Sequence, residues 1–183
     1  FNNLPSLFKQ LSASGGKIVY TEMSSPGGYT LEGHTQLQTT LDKINSRSWN
    51  FVILQEQSQY PVIPYYIYNS TFPNARKLDS LIKLRGSSTM FYMTWGRKYG
   101  GIQCINSYCS ANFTNYFHMQ DSLTAAYNMV SSLLNAQLAP VGSAWKRARS
   151  IDTTVELFDP DNSHPSLRGS YLAACVFYAK IFG

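Results

Sequence analysis

Apolar positions along the chain follow two alternating periods. Leu4, Leu7, Phe8 and Leu11 recur at helical spacing, and Gly15-Gly16 stops that helix. KIVYTEM, from Lys17, has the pattern of a short buried strand, and Pro26, Gly27 and Gly28 make SSPGGYT a loop. A polar helix is expected from about Leu31 to Ile44. FVIL, from Phe51, is an unbroken apolar run of the kind found in strands buried on both faces. QEQSQYPVIPYY carries two prolines and reads as irregular. A helix through Ala75, Leu78, Leu81 and Ile82 ends near Gly86, and TMFYMTW is the next strand. A long loop runs from Gly96 to about Phe117. A helix then places Leu123, Tyr127, Val130 and Leu134 on one face, and LAPVG forms a short strand. Pro165 and Ser166 open a last helix through Leu172, Cys175, Val176, Tyr178 and Ile181.

Strands alternating with helices in the order α-β-α-β-α-β-α-β-α predict an α/β fold, with a parallel sheet covered on both faces. The 183 residues suit one domain spanning 1–183, and no repeat, low-complexity tract or linker divides them. A chain 44% hydrophobic and 14% charged is globular rather than disordered. The net charge of +5 invites a nucleic-acid reading, but the basic residues are scattered. Their densest group, Lys146, Arg147 and Arg149, fits a solvated helix face better than a binding patch, so no nucleic-acid partner is expected. No apolar run approaches the ~20 residues that span a bilayer. The chain opens at Phe1 with neither a methionine nor a signal-like segment, as expected of a processed or trimmed product.

Cys104 and Cys109 lie five apart in the polar stretch GGIQCINSYCSANFTN, where a local disulfide fits, whereas Cys175 reads as a buried free thiol. Sequons begin at Asn69 (NST) and Asn112 (NFT), both expected in surface loops. Together these features point to a secreted or cell-surface protein. No Cys/His spacing suggests a metal and no Gly-rich phosphate loop occurs, so no cofactor is expected.

The chemistry concentrates in LFDPDNSHPSLRGSYLAACVFY. Pro165 fixes the entry of the last helix. The loop before it can hold Asp161 beside His164, so that the carboxylate orients the imidazole while the second ring nitrogen faces a nucleophile. Turn chemistry for Asp161 and a helix cap for His164 is the alternative. His34 reads as a surface histidine or a cleft residue, and His118 as a helix cap. Trp95 follows a strand at the carboxyl edge of the sheet, where it is either a substrate platform or a packing residue.

The C-terminal stretch resembles the last block of SGNH/GDSL hydrolases, Asp-x-x-His followed by Pro-Ser and a Gly-containing helix. Other segments agree in order. FNNLPSLFKQL resembles the segment after the family's nucleophile turn, in a branch where that turn runs into Asn-Asn-Leu-Pro. SSPGGYTLEGH resembles the second block, FVILQEQSQ stands at the third, and TWGRKYG and APVGSAW resemble further strand ends. The resemblance implies a flavodoxin-like α/β/α fold with strand order 2-1-3-4-5. It implies His164 as general base, Asp161 as its orienting acid, and the Gly27 or Gly28 N–H as an oxyanion-hole donor. The third block usually supplies an Asn donor; here Gln55 or Gln57 takes that place, a glutamine amide being an equal donor.

The resemblance also implies that the serine and the first, central strand lie upstream of Phe1. That strand would sit between those starting at Lys17 and Phe51, supplied by an upstream segment of the gene product or by a partner strand. Ser24, Ser25 and Ser58 do not sit on a strand-to-helix elbow. Two functions follow: an esterase acting on a small ester or acylated glycan, or a catalytically inactive SGNH-fold module of an extracellular assembly.

Overall fold

A computed structural model describes residues 2–183; Phe1, the first residue of the FNNLP segment, lies outside the described residues. In chain order the elements are α1 (Leu4–Ser14), α2 (Leu31–Gln36), α3 (Gln38–Asn45), β1 (Phe51–Leu54), α4 (Pro64–Tyr66), α5 (Phe72–Leu84), β2 (Ser88–Tyr92), β3 (Cys104–Ile105), β4 (Tyr108–Cys109), α6 (Tyr116–Leu133), β5 (Gln137–Ala139), α7 (Val141–Ile151) and α8 (Leu167–Phe182). The main sheet has the order β1-β2-β5, with both pairs parallel. Val52 stands opposite Thr89, and Phe91 opposite Leu138. This is the run of three strands expected on one side of an SGNH-type sheet.

The period of two along the strands divides the core. Leu54, Phe91 and Met93 enter one apolar cluster with Leu78 and Ile82 of α5 and Leu123 and Val130 of α6. Met90, Tyr92 and Ala139 point the other way, into a second cluster with Trp145 of α7 and Ala173 and Phe177 of α8. Helices therefore cover both faces, giving three α/β/α layers. Helix α1 joins the second layer by packing on α8, where Phe8 and Phe182 stack with centroids 6.1 Å apart.

Several expectations need correction. KIVYTEM is not a strand: a strand requires a ladder on at least one side, and among the described residues no backbone hydrogen bond joins positions 18–25 to another segment. Side chains tether it instead. Tyr20 stacks on Trp49 at 5.8 Å with Arg47 over its ring, Glu22 pairs with Lys43, and Ser24 Oγ lies 2.7 Å from Thr40 Oγ1. Ile18 is fully exposed, and Ile53 on β1 is 39% exposed where the apolar run predicted burial on both faces. The polar helix from Leu31 breaks at Leu37, which adopts an extended conformation and caps α3.

The irregular QEQSQYPVIPYY is partly helical. A 3-10 turn at Tyr60–Val62 leads through α4 and a π turn at Ile67–Thr71 into α5, with the prolines at helix starts where the missing N–H is harmless. That π turn carries Asn69, so the first sequon is exposed but not in a loop, whereas Asn112 is exposed and outside any helix. The long loop after Gly96 contains the β3–β4 hairpin, closed by a Cys104–Cys109 disulfide. The run through Lys146 is a full helix, α7, whose buried face is Val141, Gly142 and Trp145. Cys175 is a free thiol but half-buried rather than buried. His118 does not cap α6; Asn115 does, its side chain accepting the His118 N–H at 3.0 Å.

Candidate active site

The turn that carries Asp161 and His164 is locked by its own chain and by its neighbours. Asp161 Oδ1 accepts the N–H groups of Ser163 and His164, each at 2.9 Å, and Oδ2 bonds His164 Nδ1. These bonds hold the Asp161 carboxyl down at about 2, the His164 backbone N–H contributing most, then its ring and the Ser163 N–H. The carboxylate is therefore ionised at any working pH. An ionised carboxylate at Nδ1 favours a proton there and leaves Nε2 on the opposite side of the ring.

The flanks of the turn are pinned as well. Asp159 N–H donates to His164 O at 2.8 Å and Ser166 N–H to Leu157 O at 2.9 Å. Ser166 caps α8 by accepting the Gly169 N–H. Gly169 is needed for close approach, because a Cβ there would stand 2.4 Å from both Leu157 O and Trp145. The Trp95 indole donates to Ser163 O at 2.9 Å while its ring stacks on Trp145 at 4.2 Å, so Trp95 both packs and steadies the histidine turn. Asn2 reaches the same place, its amide donating to Pro165 O at 3.0 Å and Ser170 Oγ at 2.9 Å. The residues leading into α1 thus abut the residue that follows His164.

The glycine loop lies on the same sheet edge. Tyr29 N–H closes a turn on Pro26 O, with Gly28 at φ 72°, a conformation that favours glycine. Both Gly27 and Gly28 are exposed, and among the described residues no hydrogen bond takes either N–H. Two residues on, the Leu31 N–H donates to Glu56 Oε1 at 3.0 Å, and Glu56 stands two residues beyond the carboxyl end of β1. Since β1 and β2 are parallel, with Leu54 opposite Phe91, the glycine loop sits over the end of β1 and the histidine turn over the end of β2, where Trp95 emerges. The two blocks share the carboxyl edge, where open α/β sheets bind ligands.

The glutamines separate by position. Gln55 is exposed, whereas Gln57 is half-buried and its Oε1 accepts the Gln59 N–H at 2.8 Å, so that only its amide N–H groups are left to donate. His34 is half-buried in α2. Its Nδ1 lies 2.8 Å from Thr40 Oγ1 and its ring 5.4 Å from that of Tyr29, and burial lowers its pKa. That places it behind the glycine loop. Of the other serines considered, Ser24 is engaged with Thr40.

The sequence reading missed Glu56. It is 1% exposed and holds the Leu31 N–H, the Gln57 N–H (2.8 Å) and the Thr71 hydroxyl (2.8 Å). A carboxylate between two glutamines carries no periodic signal, and its partners are distant in sequence.

Comparison with solved structures bears on the superfamily. Over the whole of this chain and 92% of its own, a protein from Slackia heliotrinireducens assigned to the SGNH hydrolases superposes with a TM-score of 0.75 at 26% identity. The chain belongs to the SGNH/GDSL superfamily. Two further structures share this chain's fold. A DUF4886 family protein from Bacteroides uniformis superposes at a TM-score of 0.71 and 19% identity, covering 96% of this chain and 76% of its own. An acetylxylan esterase from Geobacillus stearothermophilus does so at 0.60 and 13%, covering 98% and 79%. No protein-family model matches the sequence, and a search of curated proteins finds no match. Among the described residues no helix is long and apolar enough to cross a membrane.

Proposed function

We propose that the chain forms the greater part of an SGNH-type serine esterase whose nucleophile precedes Phe1. The observation that carries this reading is the Asp161 carboxylate on His164 Nδ1, with the start of α1 fastened beside it through Asn2. In this family the serine sits on the turn leading into that helix, so it would stand near Nε2. His164 takes the serine proton as the hydroxyl attacks an ester carbonyl, and Asp161 stabilises the imidazolium that forms. The Gly27 or Gly28 N–H and the Gln57 amide receive the oxyanion, Gln57 being favoured over Gln55 because the Gln59 N–H holds its Oε1 in place. His164 then returns the proton to the leaving alkoxide, and water repeats the cycle on the acyl-enzyme.

Two solved forms of the Geobacillus acetylxylan esterase are described as catalytic mutants, one at a histidine and one at an aspartate three positions before it. That spacing matches Asp161 and His164 and supports both their roles and a small acyl group on a glycan as substrate. Trp95 and His34 line or back the cleft from its two sides. The serine would be carried by an upstream strand lying along the edge of β1 that pairs with no strand among the described residues, from the same gene product or a partner, and residues 1–183 form one domain with it. The Cys104–Cys109 disulfide and the exposed Asn69 and Asn112 support secretion and glycosylation of the protein.

The complete gene product tests the reading on p-nitrophenyl acetate. Wild type hydrolyses it and His164→Ala does not; equal rates sink the assignment. A residue other than serine on the turn encoded just before Phe1 would make the protein a non-catalytic binding or structural module.

A further inference from the structure

Glu56 is the most deeply buried carboxylate described, and the mechanism above does not use it as acid, base or nucleophile. It faces no substrate-sized space. The cavity beside it, lined by Leu31, Phe91, Tyr127 and Val130 among others, has a volume of about 10 Å³, room for at most one water. All three groups on the carboxylate are donors. Oε1 takes the backbone N–H groups of Leu31 and Gln57, and Oε2 takes the Thr71 hydroxyl. Leu31 opens the helix directly after the Pro26–Tyr29 turn, and Gln57 is the half-buried glutamine at the exit of β1. One oxygen therefore clamps the two segments that carry the backbone and the side-chain oxyanion donors.

No ladder does this in its place, because positions 18–25 make no backbone hydrogen bond to another segment among the described residues. Burial pushes the carboxyl up to about 7 against these bonds, and the like charge of Glu32 on α2 adds to it. Tyr60 and Tyr127 are the other titratable groups facing it. Holding a carboxyl there is unfavourable unless its bonds are needed.

We propose that Glu56 is the positioning residue of the oxyanion hole, fixing the Gly27–Gly28 turn relative to the Gln57 amide through one shared oxygen. The inference rests on the esterase reading for its catalytic consequence, but the clamp itself does not.

The complete gene product is tested as wild type, Glu56→Ala, Glu56→Gln and Thr71→Val. Backbone amide exchange reads the clamp. Glu56→Ala speeds exchange at Leu31 and Gln57 by about tenfold or more while Met90–Tyr92 stay protected, and Thr71→Val does the same to a smaller extent. Kinetics read the consequence. Glu56→Ala lowers kcat by roughly 10–100-fold with KM nearly unchanged, because a displaced oxyanion donor is felt only in the transition state. Glu56→Gln restores kcat to within about threefold, since its carbonyl oxygen accepts the same two N–H groups and Thr71 can reverse its bond. Unchanged exchange at Leu31 and Gln57 overturns the clamp. Faster exchange with unchanged kcat, or with the loss falling on KM, overturns its role in the oxyanion hole. If wild type shows no hydrolysis, the esterase reading and with it the oxyanion role fail, and exchange alone decides the clamp. Should Glu56→Ala not fold, Thr71→Val and Glu56→Gln carry the same comparison.

Discussion

Two carboxylates hold the two halves of the candidate site, and they do so in opposite ways. Asp161 is exposed and its bonds reach no further than three residues, to Ser163 and His164. These bonds hold its carboxyl at about 2. Glu56 is buried and binds Leu31 and Thr71, 25 and 15 residues away, and burial lifts its carboxyl to about 7. The first turn is also pinned by backbone bonds at Asp159 and Ser166, by Trp95 and by Asn2. The glycine loop has one backbone bond of its own and otherwise hangs on Glu56, the Tyr29 ring against His34 and the side-chain contacts of the segment before it. The pair to which the proposed mechanism gives the proton transfer is thus held locally. The proposed oxyanion donors are brought together from afar, through a group that burial makes sensitive.

The largest effect should come from the local half. In the complete gene product, Asp161→Asn lowers kcat on p-nitrophenyl acetate by about 10³–10⁴-fold, through loss of the correct tautomer, without unfolding. A loss of less than about tenfold would remove Asp161 from the triad. Next, Gln57→Ala lowers kcat by roughly 10²–10³-fold and Gln55→Ala by less than about threefold. The reverse order would exchange their assignments.

The two carboxylates also predict opposite pH responses of stability. Asp161 has a folded pKa below its ordinary value, so its contribution is present near neutrality and disappears as pH falls towards about 2. Glu56 is the reverse. The folded protein keeps a proton that the unfolded chain releases above 4.5, so stability falls as pH rises from 4.5 to about 7. The fall attributable to Glu56 is about 3 kcal/mol, and it disappears in Glu56→Gln while Glu32, Tyr60 and Tyr127 remain. Denaturant midpoints measured across that interval check it; parallel curves for the two proteins would mean Glu56 titrates normally. The smallest effect is expected at Trp95→Phe, which keeps the stack on Trp145 and loses the indole bond to Ser163 O. About 1 kcal/mol, or a Tm lower by roughly 2–4 °C, is expected in a thermal scan. No change would make the indole N–H incidental to the histidine turn.

Where the deciding interactions are close in sequence, the residues alone determined the outcome. Asp161 and His164 sit three apart before Pro165, a spacing that allows their pairing but equally a turn and a helix cap; the resemblance to the last SGNH/GDSL block is what favoured the pair. Alternating helices and apolar runs likewise determined the layered α/β order, and the five-residue spacing of Cys104 and Cys109 their disulfide. Tertiary structure decided the rest. KIVYTEM has the composition of a strand, yet a strand exists only where a neighbour completes its ladder. That Trp95 stacks on Trp145 and bonds Ser163 O is visible only in the folded chain. Glu56 gave no signal because a buried carboxylate is defined by the donors that surround it, and Leu31, Gln57 and Thr71 converge only when α2, β1 and the turn before α5 have packed.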